Sequence, residues 1–244
     1  MSLRADYDIW HDKYHQLDPS YDDTSTPWYQ WVSDTIGSVQ GLKTLEVACG
    51  RGGFVRKLAR SSALSCGVDF SFAAISIGEQ RLAGHDSLTT RACYAQGDAH
   101  SLPFPDNAFD VLVSCETIEH LPSPLQGLRE FYRVTRPGGT LFLTTPNYFN
   151  FMGLYELYAK LRHPKRPPDQ PFDRLQIFVQ TRGLLSKAGW KILASNGTVH
   201  QFPIWPGRNP VRWRALESSA TLKRLLSVFA LHYCIVGRKS KSAV

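Results

Sequence analysis

An α/β fold on an open, mostly parallel, doubly wound sheet is predicted by three features of this 244-residue chain. An apolar strand in LEVACGRGG, residues 45–53, breaks into glycines and restarts as a helix, the join expected of a strand–turn–helix unit. A second apolar run, Leu64 to Val68, ends in Asp69, about seventeen residues past Gly52. A third carboxylate, Asp98, precedes a proline-bracketed turn, and FDVLVSCETIEHL then reads as an apolar strand with a polar tip. In open α/β sheets ligands bind beyond the carboxyl ends of strands where the winding reverses. Glu46, Asp69, Asp98 and the 115–120 tip are therefore expected to converge.

Residues 6–36, with Tyr7, Trp10, Tyr14, Trp28, Tyr29 and Trp31, read as one or two helices ahead of the first strand. Thr44, Leu45 and Val47 suit a buried strand, and Gly50, Gly52 and Gly53 let the backbone turn sharply beside a ligand. Helices are expected over 54–61 and 71–83, Ser71 offering a cap for the second. A helix over 123–135 opens at Ser123-Pro124, shows Leu125, Leu128, Phe131 and Val134 at helical spacing, and stops before Pro137-Gly138-Gly139. Thr140 to Thr144 is the next strand, and 146–180, rich in aromatics, proline and charge through residue 175, is an insertion. Thr181 to Ala188, with Gly189 after it, has the cap, helix and stop of a short helix. Trp190 to Ala194 is a strand that pairs with Leu231 to Val236, leaving 200–229 as a second insertion. The expected organisation is one domain over 1–244, with a core at 40–145.

An apolar content of 43% suffices for one substantial core. The five cysteines, 49, 66, 93, 115 and 234, lack metal spacing and read as reduced thiols of a cytoplasmic protein. No basic-then-apolar leader opens the chain, and the run Leu225 to Gly237 is too short to span a bilayer. The net charge of +7 sits in residues 208–244, where eight basic residues face Glu217 alone. This segment suits an anionic substrate, a membrane surface, RNA, or simply a solvated helix face with a basic tail.

The ordered segments resemble the Rossmann-like (class I) S-adenosylmethionine-dependent methyltransferases, in the broad group with quinone-pathway and natural-product enzymes. LEVACGRGG is similar to the family's first motif, GVDFS to its ribose-binding acidic motif, GDAHSLPFPDNAFDVLVSCETIEHL to its adenine-side and fourth-strand motifs, and RPGGTLFLTTPN to its fifth-strand motif. The resemblance implies a seven-stranded sheet with an antiparallel C-terminal strand. It also implies that 1–36, 146–180 and 200–229 form lids, and that S-adenosylmethionine is the cofactor. Glu46, Ala48, Cys49, Gly50, Gly52, Asp69, Phe70, Asp98, Ala99 and Cys115 are the implied cofactor-site residues. Ala48 stands where the commonest family pattern has glycine. Simpler roles remain open: Asp69 as a cap of the next helix, Asp98 as an Asx-type turn, Glu46 as a solvated strand-end acid. A nicotinamide dinucleotide fits less well, because its pyrophosphate needs backbone amides and a helix dipole where this motif places Glu46.

Methyl transfer is an in-line displacement in which positioning matters most, and a neutral hydroxyl acceptor gains from a base. His120 is the candidate, as base, substrate contact or cofactor lining. ETIEH also resembles the acid-x-x-acid-His signature of O-methyltransferases that hold a divalent cation through the residues matching Glu116, Glu119 and His120. The further histidine of the small-RNA enzymes has no counterpart, since Gln176-Ile177 precedes FVQTR here, so no metal is assigned. His100 reads as a turn residue, and His163, His200 and His232 as having no patterned partner. The function expected is methyl transfer to a small-molecule acceptor, at a hydroxyl oxygen. RNA 2′-O-methylation, or a non-catalytic binding protein of the same fold, are the alternatives. Oligomeric state is not legible.

Overall fold

A computed structural model describes residues 2–18, 23–150, 153–154, 158, 161–162, 170–202, 211–212 and 218–241. Among these, one sheet holds seven strands: β1 (Lys43–Val47), β2 (Leu64–Asp69), β3 (Ala92–Gln96), β4 (Phe109–Cys115), β5 (Thr135–Pro146), β6 (Lys191–Thr198) and β9 (His232–Arg238). Their spatial order is β3-β2-β1-β4-β5-β9-β6, and β7 (Gln201–Phe202) and β8 (Val211–Arg212) pair separately. β1 lies parallel between β2 and β4, so the winding reverses at the β1/β4 boundary. Only β9 runs against its neighbours, β5 and β6.

Side chains alternate across this sheet with the strand period of two. On β4, Val111 and Val113 pack with Trp31, Phe54 and Phe142, while Leu112 packs with Leu128, Phe131 and Trp190 on the opposite face. Helices α1 (Leu3–Leu17), α2 (Pro27–Thr35), α3 (Gly53–Ala59), α4 (Phe72–Ala83), α5 (Pro124–Val134), α6 (Phe178–Lys187) and α7 (Ala220–Leu225) complete the description. Ser71 caps α4 as expected, its hydroxyl accepting from the Ala74 N–H at 3.1 Å. The N-terminal aromatic segment forms two helices.

Four readings are corrected. β3 is a strand that periodicity did not single out. β5 begins at Thr135, because Pro137-Gly138-Gly139 is absorbed as an irregularity of the β4/β5 pairing, with Gly138 at φ +79°. α6 begins at Phe178 rather than Thr181: the Gln180 side chain accepts from the Ile177 N–H at 3.4 Å, and Thr181 is a buried interior residue. The cysteines are not all reduced, since the β2/β3 register sets Cys66 opposite Cys93, 4.7 Å apart at Cα, and a disulfide joins them. Cys49, Cys115 and Cys234 are free and buried. Tyr14's side chain, His163 and parts of both expected insertions fall outside the described residues.

Candidate active site

A cavity of about 940 Å³ opens at the carboxyl rim of the sheet. Its floor takes Ala48, Gly50 and Arg51 after β1, Asp69 and Phe70 after β2, Asp98, Ala99 and His100 after β3, and Cys115, Glu116 and His120 at the end of β4. Strands 4.7–4.9 Å apart make this a trough of about 14 Å across four strand ends. Tyr7, Trp10 and His11 of α1 and Trp28 and Tyr29 of α2 cover it.

The β1–α3 turn places Ala48, Gly50 and Gly52 at φ +57°, +51° and +68°. Ala48 thus occupies the left-handed region at a cost of about 1 kcal/mol, which explains why glycine suits this position better. Gly50 faces open space, for a side chain there would meet only His11 at 3.9 Å. Gly52 faces the other way, where a Cβ would run into the Tyr94 ring. That ring fills the space left by Gly52, Gly67 and Gly78, and its hydroxyl donates to the Gly52 carbonyl at 2.9 Å. Tyr94→Phe is expected to lower stability by about 1–2 kcal/mol, the cost of a buried carbonyl losing its donor, measurable by urea denaturation. An unchanged midpoint would count against this support role.

Asp69 joins three segments. One carboxylate oxygen accepts from the Gly50 N–H at 2.8 Å and the other from the Ser71 N–H at 2.9 Å, fixing the glycine turn against the start of α4. Beside it Asp8 of α1 accepts from the Ser71 hydroxyl at 2.6 Å and the Ala73 N–H at 3.2 Å, which docks α1 on the positive end of α4. Asp98 accepts from the His100 N–H and binds the His100 Nδ1 at 2.6 Å, while His100 Nε2 accepts from the Ser123 N–H. His100 is thereby tied into its turn, as the sequence suggested. Glu46, Cys49 and Gly52 lie behind the cavity wall: Glu46 is buried and accepts from the Tyr29 hydroxyl at 2.5 Å, so it braces a lining residue.

The β4 end carries the titratable groups. Glu116, at φ +49°, turns its carboxylate to the Thr144 hydroxyl at 2.8 Å and to Nδ1 of His232 at 2.8 Å. Burial is the largest single effect on His232 and lowers its pKa, but the charge and the hydrogen bond of Glu116 together outweigh it and leave the pKa raised. Sequence reasoning missed this pair, because β9 brings His232 to the rim only through long-range register. His120 sits in the short turn Ile118–His120, with Nδ1 2.6 Å from the Phe172 carbonyl. Carbonyls only accept, so Nδ1 carries the proton and Nε2 a lone pair. Burial lowers the His120 pKa, the Phe172 bond opposing it. Glu119 is fully buried and accepts from Thr145 at 3.0 Å; among the described residues its other oxygen has no hydrogen-bond partner and lies 3.7 Å from His120 Nε2.

Burial, reinforced by the Glu116 charge, pushes the Glu119 carboxyl well above the ordinary range. A raised folded-state pKa gives stability that is present below the unfolded value of about 4.3 and lost as pH rises through the folded one. Glu119→Gln is therefore expected to gain on the parent protein as pH climbs from 5 to 8, by urea denaturation; a pH-independent difference would refute the buried neutral acid. Glu116 lies outside the 118–120 turn, so Glu116, Glu119 and His120 do not share one helical face. Among the described residues no three His, Cys, Asp or Glu side chains gather to hold a metal ion.

Residues 45–143 match the family described as a methyltransferase domain. The span contains the glycine turn and the β2, β3 and β4 ends that floor the cavity. That span is similar to the class I methyltransferase domains, and the sheet around it has their fold. S-adenosylmethionine is the cofactor of this methyltransferase class, and the open cradle at Gly50 beside the Asp69 carboxylate fits such a group. The demethylmenaquinone methyltransferase of Staphylococcus aureus is 32% identical over 143 residues, 56% of this chain and 58% of the relative. That of Clavibacter sepedonicus is 30% identical over 162 residues, 62% of this chain and 64% of the relative. The chain thus spans about three fifths of the curated relatives it matches. A methyltransferase structure from Thermotoga maritima superposes with a TM-score of 0.68 at 18% identity, covering 98% of this chain and all of that one. The [4+2]-cyclase SpnF superposes at 0.63 and 22% identity, covering 88% of this chain and 80% of that one. The methyltransferase fold therefore accommodates reactions other than the one its name describes, and function must be argued from the site.

Proposed function

We propose that the chain transfers a methyl group from S-adenosylmethionine to a small, flat, largely apolar acceptor, at a hydroxyl oxygen, with His120 as the base. The observation that carries this reading is the single trough that runs from Asp98 and Asp69 past Gly50 to Glu116 and His120, under Tyr7, Trp10 and Trp28. S-adenosylmethionine, when bound, supplies a methyl group on a cationic sulfonium. Asp69, Phe70, Asp98 and Ala99 would hold the nucleoside, with Ala48, Gly50 and Cys115 around the remainder. Glu46, Cys49 and Gly52 would act from behind by fixing the turn. The α1 and α2 aromatics close the trough against water and offer flat apolar surface to the acceptor. His120 Nε2 takes the acceptor proton, and its burial keeps the imidazole neutral for that task.

The relatives act, by their name, on demethylmenaquinone, and an acceptor of that flat apolar kind suits these walls. No helix among the described residues is long and apolar enough to cross a membrane. Calorimetric titration with S-adenosylmethionine and S-adenosylhomocysteine tests the proposed function. One site per chain is expected for each, followed by label transfer to a phenolic or quinol acceptor. No heat from either compound would overturn the reading.

A further inference from the structure

Outside the trough, three segments meet at the same rim and leave large apolar side chains in solvent. Phe149, three residues past β5, stacks on Phe229 at 6.0 Å and meets Phe178 edge-on at 5.5 Å. The Asn150 side chain ties this corner together by donating to the carbonyls of Asn147 and Ala230. Phe149 is 49% exposed, Leu154 64%, Val179 58%, Phe229 53%, and on α7 Leu222 43% and Leu225 68%, although burying such side chains is ordinarily worth about 1.5–3 kcal/mol each. Phe149 and Phe229 form one exposed apolar corner, and the segments leading into it leave Leu154, Val179, Leu222 and Leu225 in solvent, the kind of exposure that docking surfaces show.

Its charge indicates what docks. α7 places Lys223 and Arg224 between Leu222 and Leu225. From Arg174 to the C-terminus the sequence has twelve Lys and Arg and one acid, Glu217. Apolar side chains set among cations, with almost no carboxylate to repel phosphate, complement the surface of an anionic bilayer. Phe149 and Phe229 flank β5 and β9, and the start of β9 reaches the trough: Phe229 lies three residues before His232, whose ring meets Glu116 and Trp28, both of which line it.

We propose that Phe149, Leu154, Val179, Leu222, Leu225 and Phe229 seat the protein on an anionic lipid surface. If the function proposed above holds, an apolar acceptor dissolved in that bilayer then enters the trough from the membrane side. The docking itself needs neither cofactor nor acceptor, so its failure is separable from failure of the methyltransferase reading. Cosedimentation of the full chain with vesicles of phosphatidylcholine, alone or with 30% phosphatidylglycerol (about one lipid in three), tests it. Binding to the anionic vesicles is expected, weakening steeply with salt. The double substitution Leu225→Glu with Phe229→Glu is expected to weaken it by about tenfold or more, as is Lys223→Glu with Arg224→Glu. Heat of S-adenosylmethionine binding and thermal midpoint serve as controls that these variants fold, and both are expected to be unchanged. Absence of binding to anionic vesicles at low salt, or binding indifferent to both pairs of substitutions, would overturn the proposal. So would a dimer in gel filtration that the leucine and phenylalanine substitutions dissociate, since the patch would then be covered by a second copy.

Discussion

Replacing Asp69 by alanine is expected to weaken S-adenosylmethionine binding by about a hundredfold, close to 2.7 kcal/mol. Its two carboxylate oxygens each accept one backbone N–H, from Gly50 and Ser71, at 2.8 and 2.9 Å. Hydrogen bonds to a charged acceptor contribute roughly 1.5–3 kcal/mol, and alanine removes both. The turn through Gly50 then loses its tie to β2 before any contact with ligand is counted. Asp69→Asn separates the roles: it keeps one acceptor oxygen for a backbone donor and discards the charge. Calorimetry should therefore rank wild type, asparagine and alanine in falling affinity. Equal affinity of alanine and wild type within about threefold would remove Asp69 from the cofactor site. Its role would then be confined to tying the Gly50 turn to the start of α4, read as a fall in thermal midpoint.

The strands that build the trough were legible because a parallel strand buried on both faces reads as an unbroken apolar run. Leu64 to Val68 and Val111 to Cys115 come close to this, each interrupted by one buried serine, Ser65 or Ser114. β3 was not, because Ala92–Gln96 is buried at Ala92 alone, half-exposed through its middle and exposed at Gln96. Local chemistry was equally legible where the partner is close in sequence, as for the Ser71 cap and the His100–Asp98 turn. What escaped depends on register. The Glu116–His232 pair spans 116 residues, and the Cys66–Cys93 bridge exists because β2 and β3 align those two positions. No composition or spacing encodes either. The Tyr94 ring beneath the glycine turn belongs with them: Gly52 was visible as freedom of backbone, but not, with Gly67 and Gly78, as room made for one side chain.

His120→Ala is expected to lower the rate of methyl transfer by a hundredfold or more while cofactor affinity stays within about threefold, the loss typical of removing a positioned base. The pH dependence makes the assignment sharper than the rate alone. A base must be unprotonated to act, so kcat/KM rises with pH through its pKa. Burial holds the His120 pKa below the ordinary histidine value of about 6.5, the Phe172 carbonyl only partly opposing it. The rising limb is therefore expected below pH 6.5, and absent from His120→Ala. The neighbouring pair makes the opposite prediction. His232 has a pKa raised by the Glu116 carboxylate at 2.8 Å, so a base drawn from that pair would put the limb above 6.5. In that case Glu116→Gln, which withdraws the charge but keeps the shape, would move the limb down, and His120→Ala would leave it in place. A limb above 6.5 that survives His120→Ala transfers the role from the β4 turn to the β9 histidine. A limb below 6.5 that disappears with the His120 side chain leaves Glu116, held from behind by His232, as the polar wall against which the acceptor is oriented.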